Sequence, residues 1–557
     1  MSLLGNRQHD AQNEANRHTC RTLLNCYIRE FGQASRFFVT PELDYSVTFP
    51  ASGITLAGKL VRRSAIGEHR YKSFLHDGRP LDSAELARWI AQEMAAEAPS
   101  LDRRLQERFL QQVAGSRQTL ALFMSQPESA LPDGYLTSEQ SLLHGHPFHP
   151  FPKSVLGFSE ADVRRYSPEL KASFRLCYMA VRSDKFEEEW IGGKPRIADP
   201  LQAVEQASLE LGASASLYRL LPVHPWQYEH VLSLEETGEY VRERQIVPLG
   251  PCGPLCHPTS SVRTVYVPEM RCNIKLALDV QITNMKRVNT REQMRRTMDA
   301  ASYLLQSGCF EQEPHTQVAY EEGIAACRMP REELTALLAV AYRPIEFDPS
   351  CTFVMSSLIE TKAGDDKPLL ASLIDSGQAE AWFRRYLDLS LLPIVRAAEE
   401  KGIHFEAHLQ NTLLSIRDGM PRSFVIRDLE GVSVDRGLAA PGAQGPLFYE
   451  TKDAWARTSY YFIVNHLGSF IHALSASTCS SEKSFWAIVR DVLERELERK
   501  GGELPFVRHL LTADTFLAKR NMASCLAGTS ETPAYVPVDN LMRRIRSVAD
   551  AADKQLV

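Results

Sequence analysis

The sequence predicts an α+β chain of two or three packed domains, with mixed sheets early and a mainly helical final third. Its 557 residues exceed what one hydrophobic core usually organises. Short segments of alternating apolar residues recur between longer stretches with apolar residues at helical spacing. In the last third the helical spacing dominates.

Taken in order, Asn13 to Phe31 carries a helical pattern, and strand-like alternation follows around Tyr45 to Val61. Asp82 and Glu85 stand three apart before Leu86, Trp89 and Ile90, which predicts a capping box opening a helix. Leu101 to Met124 predicts another long helix, as does Arg291 to Gln306. Ile274 to Thr283 predicts a single strand. Ile274, Leu276, Leu278, Val280 and Ile282 fall on one face; Lys275, Ala277, Asp279, Gln281 and Thr283 fall on the other. Tyr460 to Leu474 predicts a core helix, and Phe485 to Lys500 an amphipathic one stopped by Gly501-Gly502.

Sixty-three basic and 69 acidic residues give a net charge of −6 without a long block of either sign. Nucleic acid and anionic membrane surfaces are therefore poor partners. Met1 to Arg17 is polar and lacks the apolar core of a signal peptide, and runs such as Tyr460 to Val464 are too short to span a bilayer. Eleven cysteines are scattered without the spacing of a disulfide scaffold, which fits a reducing cytoplasm. Cys252, Cys256 and His257 make half a zinc site, but no second pair follows.

Chemistry-bearing residues concentrate in three segments. The first is His144-Gly145-His146-Pro147-Phe148-His149-Pro150-Phe151-Pro152-Lys153. Its prolines exclude a regular helix, and the histidines with Lys153 offer several donors to an anion. A lone His-Pro more often only satisfies backbone; three histidines followed by a lysine favour a site. The second runs from Ser260 to Arg287. Ser260, Ser261, Arg263 and Thr264 mix hydroxyls with a guanidinium, which suits phosphate or carboxylate oxygens. Lys275 lies on the polar face of the predicted strand, with Thr283 on the same face and Arg287 soon after. Singly, each could be a solvated charge. The third is His404-Phe405-Glu406-Ala407-His408-Leu409-Gln410-Asn411, followed by Asp428 at the end of the apolar run Phe424-Val425-Ile426. Phe405 stands where a zinc protease needs its glutamate, so that reading fails. An acid, an Asn five residues on and a later acid instead suit Mg²⁺ on a nucleotide, as in kinase-like phosphotransferases. No Walker A, G-x-G-x-x-G or G-x-S-x-G pattern occurs. The residues point to ATP chemistry on an anionic co-substrate; spacing leaves open whether the γ-phosphate or AMP is transferred.

Together these segments resemble the NRPS-independent siderophore synthetases, the aerobactin-synthetase-like family. The resemblance rests on the His-Gly-His-Pro-Phe-His-Pro segment with Lys153, His224-Pro225-Trp226-Gln227, Ser260 to Thr264, Lys275 with Arg287, Glu406 to Asn411 and Arg427 to Gly431. Lys519 to Met522 and Tyr535 to Val538 add a weaker echo. It implies a cupped-hand architecture with a thumb-like part at 1–140, a fingers-like part at 141–385 and a palm-like part at 386–557. It further implies a homodimeric, ATP- and Mg²⁺-dependent carboxylate–amine or carboxylate–alcohol ligase. Such an enzyme adenylates citrate, a citryl mono-amide or ester, or 2-oxoglutarate. By motif position, Ser260, Ser261, Arg263, Thr264, Lys275, Arg287, His408 and Asn411 would bind ATP. His146, His149, Lys153, Thr283 and Arg287 would bind the acid, and Glu406, Gln410, Asn411 and Asp428 the metal. Lys275, Arg287 and His408 would be catalytic. A kinase-like phosphotransferase is the runner-up reading, and a non-catalytic iron-siderophore binding or reducing protein is a third.

Overall fold

The computed structural model describes residues 3–545, apart from 33–35, 99–100, 128–129, 362–366, 441, 479 and 530–533. Its first core forms where a five-stranded antiparallel sheet, built around Asp44–Phe49, Ile54–Arg62 and Arg70–His76, packs on three helices. The first helix spans Leu3–Phe31, starting well before the apolar pattern at Asn13. The others are Ser83–Glu97 and Arg103–Met124. Their apolar stripes bury Leu23, Leu24, Leu86, Ile90 and Phe109 against Val47, Phe49 and Leu56 of the sheet. Asp82 caps the second helix by accepting from the Ala84 amide at 2.8 Å. Glu85 turns instead toward His76 and Arg79, so only half of the predicted capping box forms. Met522, Cys525 and Leu526, from the far end of the chain, complete this core.

The second core lies under a seven-stranded antiparallel sheet. Its strands, in spatial order, are Phe174–Arg175, Leu255–Pro258, Thr264–Val267, Cys272–Lys275, Ala339–Pro344, Gly323–Cys327 and Phe186–Trp190. Here the predicted strand Ile274–Thr283 is corrected. It is two strands, Cys272–Lys275 in this sheet and Leu278–Ile282 in a separate three-stranded one. Side-chain amides make the switch: Asn289 donates to the Lys275 carbonyl at 3.1 Å, and Gln227 accepts from the Asp279 amide at 2.8 Å. These partners pair two of the backbone groups that the chain frees as it leaves one sheet for the other. Lys275 and Thr283 therefore do not share one strand face.

The third core joins the hairpin Thr412–Arg417/Met420–Arg427 to helices Ala379–Leu389, Leu391–Lys401 and Glu482–Arg499. The parallel strand Thr316–Ala319 makes this sheet mixed. The predicted core helix at Tyr460–Leu474 is present, but Ser459–Leu467 is wound as a π-helix before α-helix resumes. In it His466, fully buried, lies 2.5 Å from the Tyr386 hydroxyl through Nε2 and 2.9 Å from the Ala407 carbonyl through Nδ1. That pairing anchors the helix behind the Glu406–Asn411 segment.

Candidate active site

Strand pairing brings the second and third segments together. Leu255–Pro258 and Thr264–Val267 form a hairpin whose turn carries Ser260 to Arg263, and Thr264 pairs with Lys275 on the next strand. Across from them, the register Thr412↔Ile426 returns the chain so that the Arg427 amide donates to the Asn411 carbonyl at 2.9 Å. Asp428 thus emerges beside Asn411. Lys275 Nζ lies 3.0 Å from Asp428 Oδ1 and 3.2 Å from Glu430 Oε2. The lysine side chain is 5% exposed but the carboxylates are 35% and 29% exposed, so the cation is the floor and the acids are the rim. Burial alone would raise the Asp428 pKa; Lys275, Arg343 and Arg263 overcome it and hold the carboxyl well below the usual range.

Arg263 is buried and donates to the Val288 carbonyl and to Asn289 Oδ1, both at 2.8 Å. Arg287 donates to the Ile282 carbonyl at 3.3 Å and to Thr283 Oγ1 at 3.4 Å. Burial and the neighbouring Arg263 push the Arg287 pKa down to about 10, so two guanidiniums crowd one place. That is an arrangement for a polyanion. Thr283 occupies the hairpin turn with φ 56°, an unfavourable conformation for a β-branched residue.

The histidines share one local device. His146 Nδ1 accepts from the Phe148 amide at 3.1 Å, His149 Nδ1 from Phe151 at 3.2 Å and His224 Nδ1 from Trp226 at 3.1 Å. Each has proline next in sequence, whose fixed φ turns the chain back toward the ring. His408 does the same with the Gln410 amide at 3.2 Å, without proline. Nδ1 being an acceptor, the neutral ring carries its proton on Nε2. The His146 ring is accessible, yet surrounding protein desolvates it, and with His149, His408, Arg29 and Lys519 pushes its pKa down to about 3. Burial and then Arg287 bring His149 to about 3 as well. His146 thus feels the charge of His408, and His149 that of Arg287.

Lys153 departs from the expected role. Its ammonium lies 2.5 Å from Glu169 Oε1 and 2.5 Å from the Leu142 carbonyl, so a largely buried carboxylate already engages it. His144 stacks on His18 and bonds Glu360, also away from the site.

The expected metal set is partly assembled. Asn411 Nδ2 donates to the Glu406 carbonyl at 3.3 Å, and Gln410 Nε2 to Ser260 Oγ at 3.3 Å. Glu406 lies against Gly431, with Arg457 3.5 Å from its carboxylate. Ser261 sits in the same turn as Ser260. Among the described residues, no group of three or more His, Cys, Asp or Glu forms a metal cage. Carboxylates at Asp428 and Glu430, next along the chain from the Arg427 amide that bonds the Asn411 carbonyl, are oxygen ligands of the kind that fit Mg²⁺, which takes few protein oxygens and completes its shell with phosphates. Sequence reasoning missed Glu430, although its i+2 spacing from Asp428 was visible. It gave no role to Lys519, which donates to the Tyr461 hydroxyl at 2.7 Å, because only the folded chain brings it near Glu406.

Comparison with known proteins places the chain in a family. Residues 134–358 match the IucA / IucC family, and residues 380–533 match the family described as ferric iron reductase FhuF-like transporter. The chain is 32% identical to L-2,3-diaminopropanoate–citrate ligase of Staphylococcus aureus, covering 93% of this chain and 94% of that protein. It is 28% identical to the rhizobactin siderophore biosynthesis protein RhbC of Rhizobium meliloti, over 97% and 98% of the two chains. In fold it is similar to ATP-bound aerobactin synthetase IucA of Klebsiella pneumoniae, with TM-score 0.80 and 23% identity over 94% of this chain and 99% of that one. It is also similar to petrobactin biosynthesis protein AsbB of Bacillus anthracis, with TM-score 0.81 and 18% identity over 98% and 99%. On the strength of the Staphylococcus aureus relative, matched along nearly its whole length, the chain belongs to the IucA/IucC family of NRPS-independent siderophore synthetases.

Proposed function

We propose that this protein uses ATP to adenylate a carboxylate of citrate, or of a citryl mono-amide or ester, and joins it to an amine or alcohol in siderophore assembly. The observation that carries this reading is Lys275 clasped by Asp428 and Glu430 beside the Ser260–Thr264 turn, in a chain whose relatives are named as citrate ligases. In this reading Ser260, Ser261, Arg263, Thr264, Lys275, His408 and Asn411 hold the phosphates. His146, His149, Thr283 and Arg287 hold the acid, the neutral His146 ring donating from Nε2. Mg²⁺ at Asp428, Glu430, Gln410 and Asn411 would supply charge neutralisation at the phosphates. A citrate oxygen attacks the α-phosphorus and pyrophosphate leaves; the amine then attacks the acyl carbon and AMP leaves. Lys275 and Arg287 oppose the negative charge that builds at phosphorus.

The division into thumb (1–140), fingers (141–385) and palm (386–557) belongs to the same reading, with residues 522–526 serving the thumb core. So does a cytoplasmic setting: the cysteines of the described residues are free, and none of the described helices is long and apolar enough to cross a membrane. A homodimer is also part of it, supported by Leu201, Val204, Leu209 and Leu217, all exposed on one helix and the turn after it.

Hydroxylamine trapping tests the proposal. With ATP and Mg²⁺, citrate should give citryl hydroxamate with AMP and pyrophosphate, and L-2,3-diaminopropanoate is the first amine to try in place of hydroxylamine. Release of ADP would establish the kinase-like alternative, and activation of 2-oxoglutarate alone would replace the acid. The FhuF-like match raises iron reduction as a second reading. Residues 380–533 contain only Cys479 and Cys525, too few for a four-thiolate iron–sulfur cluster.

A further inference from the structure

Asp428 holds φ 67° and ψ 79°, a left-handed conformation that a non-glycine residue keeps only where its surroundings impose it. Two buried ion pairs flank it, and neither lies in the site. On the N-terminal side Arg427 pairs with Glu139; the two side chains are 6% and 0% exposed. Arg427 also donates to the Gln410 carbonyl from Nε at 3.1 Å and from a terminal nitrogen at 2.8 Å. The second oxygen of Glu139 accepts from the Ser260 amide at 3.0 Å. One carboxylate therefore ties the Ser260 turn to the Gln410–Asn411 segment.

On the C-terminal side Arg343 pairs with Glu321, 6% and 1% exposed. Glu321 Oε1 takes Arg343 Nε at 2.8 Å, and Oε2 accepts from the Leu429 amide at 3.2 Å. The first pair is bridged to the strand of Lys275, because the Tyr135 hydroxyl accepts from Asn273 at 2.9 Å and from Arg427 at 3.1 Å; the second meets that strand through the register Asn273↔Arg343.

Burying four charges is a weak way to gain stability, since well-packed apolar residues often do as well. What the two carboxylates share is that the second oxygen of each is bonded to a backbone amide of a site turn. We propose that Glu139 and Glu321 are positioning residues for the nucleotide–metal half of the site, fixing the Ser260 turn against the Asp428–Glu430 turn. This rests on the reading that Ser260 meets phosphate and Asp428 meets metal.

Glu139→Gln and Glu321→Gln keep the shape and one acceptor while removing the charge. Mn²⁺ serves as the probe, titrated by electron paramagnetic resonance onto the intact enzyme with ATP and no acid. Each variant should bind Mn²⁺ about 10- to 100-fold more weakly, with a similar fall in kcat and a KM for citrate within about two-fold of wild type. Tyr135→Phe, which keeps both carboxylates and removes the hydroxyl bridge, should show a loss of a few fold. A folded Gln variant with wild-type Mn²⁺ affinity would overturn the proposal. So would equal losses in Mn²⁺ affinity, KM and thermal midpoint, which mean general loosening. Should the Gln variants not fold, unchanged Mn²⁺ affinity in Tyr135→Phe decides against it. Failure of the wild type to bind Mn²⁺ with ATP, or to release AMP with acid, counts against the functional reading instead.

Discussion

Lys275 shows how a residue's environment assigns its chemistry. Its ammonium is almost fully enclosed and meets two carboxylates at the wall where phosphates would lie in the proposed reaction. Lys275→Ala removes the cation and leaves Asp428 and Glu430 repelling each other. Pyrophosphate release should fall by at least about 10³-fold in Lys275→Ala and in Asp428→Ala, with far-UV circular dichroism unchanged. Near-normal turnover in both would remove the site assignment. At this scale much was legible: Ser260, Arg263, Lys275, His408 and Asp428 carry side-chain types suited to an ATP-dependent synthetase, in segments that the fold brings together. Lys153 was not, because its partner Glu169 lies on a different element and no spacing rule links them. Glu139 was hidden for the same reason, being joined to Arg427 only by the fold.

Among elements, local signals predicted helices well and predicted strand continuity poorly. Arg291–Gln306 has its bounds as the pattern predicts, closed by a capping box at Thr290 and Gln293. Ile274–Thr283 misleads because alternation records which way side chains face and says nothing of which sheet pairs with the backbone. The junction between the first helix and the short helix Asn521–Ala527 gives a prediction of its own. Glu30 accepts from the Met522 and Ala523 amides at 2.7 and 3.0 Å, yet burial outweighs these bonds and raises its pKa to about 7. The folded state then binds a proton that the unfolded state releases near pH 4.5. This contribution to stability is complete below about pH 4.5 and is lost as pH rises through 7, amounting to at most about 3 kcal/mol. Between pH 5 and 8, urea denaturation should show wild type losing more stability than Glu30→Gln. Equal losses would mean that another group is responsible.

For the molecule as a whole, the apolar residues on Leu201–Leu211 and the turn after it are the main surface feature that the core does not explain. Light scattering should give twice the 62.7 kDa chain mass, and Leu209→Glu should shift it to one chain. A wild-type monomer at micromolar concentration would refute the dimer. The sequence also gave no sign that the last segment returns to the first core. Met522, Cys525 and Leu526 fill it, while Asn521 donates to the Phe148 carbonyl at 2.8 Å and Cys525 lies 3.7 Å from His149. During synthesis, then, the amino-terminal unit leaves the ribosome first yet waits through some 370 residues for the side chains that seal it. The histidine loop it adjoins waits as well, lacking its contact at the Phe148 carbonyl until Asn521 has been made.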